Sequence, residues 1–169
     1  MSNTRTLNSK TVNNSLSIQE TNTIGTDPTI TGGLSATINA GQQWRFDGTT
    51  GPAATKAWHS QVALSAGVLM LDLTALADAI LTTVDMTGLK LKMLHLVAPS
   101  TNANVITVAP GAVNGYTGWV GSAGLILNPG DNVLLGPMNA GIAVDGTHKN
   151  LDLAGTGSQV LNIVALFGL

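Results

Sequence analysis

The sequence predicts an all-β chain, a β-sandwich or jelly roll with at most one short helix. Short runs alternate apolar and polar residues with a period of two, Gly, Pro and Asn turns separate the runs, and only one stretch has helical spacing. Eight to ten such strands in 169 residues fit one domain with a real core.

Residues 1–33 are rich in Thr, Asn, Ser and Gly with scattered Leu and Ile, too little apolar surface to offset the entropy of ordering alone. They read as a polar N-terminal arm. Leu16, Ile18, Ile24 and Ile30 are spaced like anchors of an extended segment that folds against a neighbour, with a mobile terminus as the equal alternative, and Gly32-Gly33 mark the boundary with a sandwich domain over 34–169.

Strands are expected at Leu34–Asn39 and, around Trp44, at Gln42–Phe46, followed by the loop DGTTGPAA from Asp47. Ala57–Leu64 place Trp58, Ser60, Val62 and Leu64 on one face, and Val68–Leu73 continue as β. Thr74–Thr82 put Leu76, Ala77, Ile80 and Leu81 at helical spacing behind Thr74 as a possible N-cap; another strand is the alternative, but Ala75, Ala77 and Ala79 favour the one short helix.

The longest alternation is GLKLKMLHLV from Gly88, where Leu91, Met93 and His95 interleave with Lys90, Lys92, Leu94 and Leu96. One face changes character partway: Lys90 and Lys92 suit water, whereas Leu94 and Leu96 need cover. Pro99 ends this strand, Ser100–Asn104 are turn formers, and Val105–Ala109 follow, so the pair reads as a hairpin.

Gly111–Gly124 form a glycine-rich loop or bulged strand with Tyr116 and Trp119. Leu125–Leu127 and Val133–Leu135 flank Asn128-Pro129-Gly130-Asp131, a second hairpin signature in which Gly130 takes φ > 0. Gly141–Val144 are a short strand, residues 145–148 a turn, Leu151 and Leu153 the start of another strand, and Gly155–Ser158 a hairpin connection. Val160–Phe167 close the chain as a buried strand.

Charged residues are 9% of the chain, against roughly 25% on average, and mean hydropathy is +0.28. A surface with so little charge resists association poorly, so self-assembly is expected. From Met93 to Gly130 the only ionisable side chains are His95 and Tyr116, which directs that expectation to the middle of the chain. Arg5, Lys10, Arg45, Lys56, Lys90, Lys92 and Lys149 form no basic patch, so no nucleic-acid partner is expected. Asp72 and Asp78 interrupt the most apolar region, so no membrane span is expected, and the first residues lack the apolar segment of an export signal. Cysteine is absent, which excludes disulfides and thiolate chemistry.

No catalytic, metal or cofactor site is expected. His59, His95 and His148 lie far apart in sequence without ligand or triad spacing. Asp145–Asp152 lack the alternating oxygen ligands of a calcium loop, and Gly155–Ser158 lack the lysine and strand-loop-helix context of a phosphate loop. Trp44, Trp58, Trp119 and Tyr116 are the residues from which a sugar-stacking platform would be built, although isolated aromatics in strands more often serve as core or interface anchors.

From Ala57 onward the order of features resembles small structural proteins of tailed-bacteriophage virions: AWHSQVALSAG, then Leu71-Asp72-Leu73, GLKLKMLHL, LILNPGD and the terminal QVLNIVALFGL. The likeness covers about two thirds of the chain, is one of order and texture, and carries over no functional residue. It implies a virion component, such as a capsid-decorating, head-fibre or tail-associated protein, and the expected function is a non-enzymatic capsid decoration subunit assembling as a homotrimer on the major capsid protein or other virion proteins. A shell-forming capsid or tail subunit and a carbohydrate-binding adhesin module are the alternatives.

Overall fold

A computed structural model describes residues 53–77, 83–118, 123–136 and 138–169, together with the backbone of two further strands. Those two are β1 (Thr11–Asn13) and β2 (Gln43–Arg45), which pair antiparallel with Val12 opposite Trp44. The expected strand at Leu34–Asn39 and the proposed anchors Leu16, Ile18, Ile24 and Ile30 lie outside the described residues.

The described chain is all-β. Eight strands build two four-stranded antiparallel sheets: β3 (Lys56–Ala63), β4 (Val68–Asp72), β7 (Lys90–Val97), β8 (Ile106–Pro110), β9 (Leu125–Leu127), β10 (Asn132–Leu135), β11 (Asn150–Ala154) and β12 (Val160–Gly168). One sheet runs β10-β7-β12-β3 and the other β4-β11-β8-β9. Between β4 and β7 a two-stranded ribbon forms from β5 (Leu76–Ala77) and β6 (Thr83–Val84).

The pairings β8·β9, β7·β10, β4·β11 and β3·β12 describe one long antiparallel ribbon whose closed end is β8–β9. The ribbon crosses from sheet to sheet at three bends, and its two limbs stay hydrogen-bonded through each. At the first, Leu64 N donates to Gln159 O and Gly155 N to Gly67 O. At the second, Leu73 N donates to Lys149 O and Gly88 N to Val144 O. At the third, Ala98 N donates to Asp131 O and Gly130 N to Ala98 O. A ribbon wound in this way is a jelly roll.

Winding overturns three hairpin expectations. The strands on either side of Pro99 do not form a hairpin, because β7 and β8 belong to different sheets; likewise β9 and β10 flank Asn128–Asp131 without pairing with each other. The turn chemistry itself is as read, with Asp131 N bonded to Asn128 O and Gly130 at φ +91°. Gly155–Ser158 also connect the two sheets rather than a hairpin. Expected strand Gly141–Val144 is reduced to one bridge between Ala143 and Lys90.

The expected helix is likewise absent over its described part. Asp72 accepts hydrogen bonds from the backbone N and hydroxyl of Thr74, which closes a turn, and Leu76 is buried in the core from a strand. Residues 78–82 of that expectation lie outside the described set. Tertiary burial of Leu76 outweighs the alanine-rich helix propensity there.

The core lies between the sheets. Trp58, Leu91, Leu94, Leu96, Ile163, Ala165 and Phe167 face Leu71, Leu73, Val108, Leu151 and Leu153. Leu91 and Leu94 are three residues apart, an odd spacing that a regular strand would send to opposite faces. A β-bulge reconciles them: Phe167 pairs with Leu91 and Leu166 with Met93, leaving Lys92 as the extra residue of β7. The change of character read midway along this strand is that bulge. Lys92 is therefore not in water but 2% exposed, with its ammonium donating to Asn139 O, and burial pushes its pKa down.

Candidate interaction surface

Alternation in β4, β8, β9 and β11 sends Leu69, Leu71, Ile106, Val108, Leu127, Leu151 and Leu153 inward and the residues between them outward. On that outer face the register aligns Val68, Ala154, Thr107 and Ile126 as one row across four strands, with Met70, Asp152 and Ala109 as the next. Val68 is 62%, Met70 57% and Ile126 61% exposed. A solvated antiparallel face ordinarily shows polar residues outward; this one presents three large apolar side chains.

The carboxylates on this face are engaged by the chain itself. Asp72 binds Thr74 and the ammonium of Lys149; burial opposes its ionisation, but the hydrogen bonds from Lys149 and Thr74 outweigh it and hold the carboxyl below its ordinary range. Asp152 accepts the backbone N–H of Ala112. Both charges sit on the Met70 side of the row, so the line from Val68 to Ile126 is uncharged.

The histidines do not assemble a reaction centre with one another. His59 and His95 share the outer face of the other sheet, each the register partner of Val164 on β12. Two strand spacings, about 9–10 Å, separate their backbones. His95 is fully buried, its Nε2 hydrogen-bonds Asn132 Oδ1, and burial pushes its pKa down against that bond. His148 lies in an exposed turn, where its Nδ1 meets both Asp145 and Thr147. A catalytic triad needs the two ring nitrogens to face acid and nucleophile separately; here a single nitrogen serves both contacts. Among the described residues no group of three or more His, Asp or Glu is placed to hold a metal ion.

Asp145 belongs to a local device the sequence reading missed. In Asp72-Leu73-Thr74, Asp85-Met86-Thr87 and Asp145-Gly146-Thr147 the carboxylate accepts both the backbone N and the hydroxyl of the Thr two residues on. The first two turns follow the ends of β4 and β6, and the third lies in the loop before β11. The hydrogen bonds from Thr147 hold the Asp145 carboxyl well below its ordinary range, and those from Thr87 lower Asp85. The repeated D-x-T spacing was the available signal. It also accounts for Asp145 as a turn former, whereas Asp152 stands in β11.

Of the aromatic residues considered for sugar stacking, Trp58 and Tyr116 are buried in the core. Trp58 Nε1 donates to Ala77 O, and the Tyr116 hydroxyl donates to Ile142 O while accepting from Leu91 N. Neither ring is available to a sugar. The side chains of Trp44 and Trp119 lie outside the described residues.

Comparison with family models, curated proteins and solved structures finds no match to this chain.

Proposed function

We propose that the chain is a non-enzymatic structural subunit of a virion, a decoration protein that assembles as a homotrimer on the particle through the outer face of its β4-β11-β8-β9 sheet. The observation that carries this reading is the uncharged row from Val68 to Ile126 with Met70 beside it, three large apolar side chains more than half exposed on one flat face. Exposed apolar sheet faces mark association sites. Three strands of five residues and one of three give a face of at most about 14 by 17 Å. That is about 240 Å², well short of the ~800 Å² per partner of a standard stable interface. Contacts of this size hold best when several act at once, as in a closed ring of subunits.

The jelly roll and the phage-like order of segments support the same reading, the fold by analogy alone, since jelly rolls build viral capsid domains as well as lectins. The test is imaging of particles assembled with and without the chain. Threefold density present only when the chain is supplied is the expected result; its absence from the particles, with no difference between the two preparations, overturns the proposal.

A further inference from the structure

The open face of the β4-β11-β8-β9 sheet sorts its side chains by size. Both edge strands carry large ones, Val68 and Met70 on β4 and Ile126 on β9. Between them the central strands turn Ala154, Asp152, Thr107 and Ala109 outward, and Gly124 lies so close by that a Cβ there would stand 3.0 Å from that of Ala109. The face is therefore a trough. Short side chains floor it, and its rims run along strands three spacings, about 14 Å, apart. The rims are also unlike: β4 raises two large side chains about 7 Å apart along the strand, and β9 raises one. One knob fits between two, so each rim matches the other better than it matches its own copy.

We infer that the occupant of each rim is the opposite rim of a second copy: subunits dock head to tail, Ile126 of one between Val68 and Met70 of the next, with the three troughs turned toward a common threefold axis. This rests on the reading of the face as a contact within a homotrimer, and it says which residues meet there. A threefold ring needs an interface of this kind, because a third of a turn brings two different patches together, whereas a half-turn brings a patch against itself. The unlike rims supply the two patches.

Charge opposes the twofold alternative. Two troughs stacked face to face would enclose both Asp152 carboxylates near the middle of one apolar contact, and among the described residues Asp152 is met by the Ala112 N–H rather than by a cation. Enclosed carboxylates without a counter-charge are costly. Shape opposes it too, since stacked troughs touch at their rims and leave a void between their floors, unlike the close packing of protein interiors. In the ring the rims fill each other and the floors line an axial channel, where Asp152 stays in water. The whole face, at most about 240 Å², is too small for one stable pairwise contact; closing three contacts at once compensates.

Cysteine is absent from the chain, so single introduced thiols report on neighbours. Met70→Cys and Ile126→Cys are made in the full-length protein and treated with a short bismaleimide, each alone and as an equal mixture, at a concentration where light scattering finds the unmodified chain trimeric. Both side chains are more than half exposed, so the variants should fold, and the equally exposed Val68→Cys serves as a second thiol on the β4 rim. The mixture should yield covalent dimers with one chain of each kind, and either variant alone less than a tenth of that yield. A chain carrying both thiols should close into a covalent trimer. Like-to-like dimers in comparable yield, or no dimer from the mixture, overturn the head-to-tail arrangement while leaving the face as a subunit contact. An unmodified chain that is monomeric at every concentration overturns that reading and the ring with it.

Discussion

Deleting one residue from a strand ordinarily turns half of its side chains to the wrong face, and the bulge in β7 predicts an exception. Without Lys92, Leu91 would be followed directly by Met93, and Leu91, Leu94 and Leu96 would all face the core in an unbroken alternation matching the pairs Phe167·Leu91 and Leu166·Met93 that exist already. The cost is confined to two hydrogen bonds, Met138 N to Lys92 O and the Lys92 ammonium to Asn139 O. At about 0.5–1.5 kcal/mol each, this is about 1–3 kcal/mol.

Deleting Asp152 from the regular strand β11 removes a more exposed residue but should cost more. Either Ala154 replaces Leu153, which is 1% exposed, or Asn150 replaces Leu151 in the core. A leucine-to-alanine loss alone costs about 2–5 kcal/mol, a large share of the ~5–15 kcal/mol that holds a domain folded. Urea titrations followed by circular dichroism decide the matter. Single-residue deletion at Lys92 should leave a cooperative transition and deletion at Asp152 should abolish or severely weaken it; equal damage from both would refute the register argument.

Two further perturbations follow from particular groups. Because the folded pKa of His95 lies below its ordinary 6.5, the unfolded chain binds the proton more readily; its contribution to stability is complete above that value and falls, by at most about 1.4 kcal/mol per pH unit, as the solution is acidified. Denaturation at about pH 7.5 and about pH 5 should show a smaller acid loss in His95→Gln than in the unmodified protein, and identical losses would remove His95 as the cause. Gly168→Ala would drive a methyl group into the backbone of Ala53, so its Tm should fall by several degrees, about 1–3 kcal/mol of overpacking; an unchanged Tm would mean that the 53–54 junction moves freely.

Strand positions were legible where alternation was strong: Ala57–Leu64, Val68–Leu73, the run from Leu89 and the terminal Val160–Phe167 all became strands of the sandwich. Pairing was not. Asn-Pro-Gly-Asp reverses the chain equally well between neighbours in one sheet and at a corner between two, and only the distant partners, such as Asp131 O for Ala98 N, decide which it is. Lys92 misled because period two was carried through the bulge, which exists to keep Leu91, Leu94 and Leu96 on one side.

The open face was hidden for a related reason. In Val68-Leu69-Met70-Leu71 both alternating sets are apolar, so the pattern cannot say which is inside. Scarcity of charge announced that some apolar surface would face outward, and the register of β4, β11, β8 and β9 located it.

The account rests most on that face as a contact between subunits, and light scattering of the full-length chain at low micromolar concentration, with and without paired Met70→Asp and Ile126→Asp substitutions, tests it most directly. Both side chains are more than half exposed, so the variant should keep its Tm. The unmodified chain is expected at three times its 17.2 kDa mass and the variant at the mass of one subunit. A monomeric unmodified chain, or a trimer that survives both aspartates, would contradict the account.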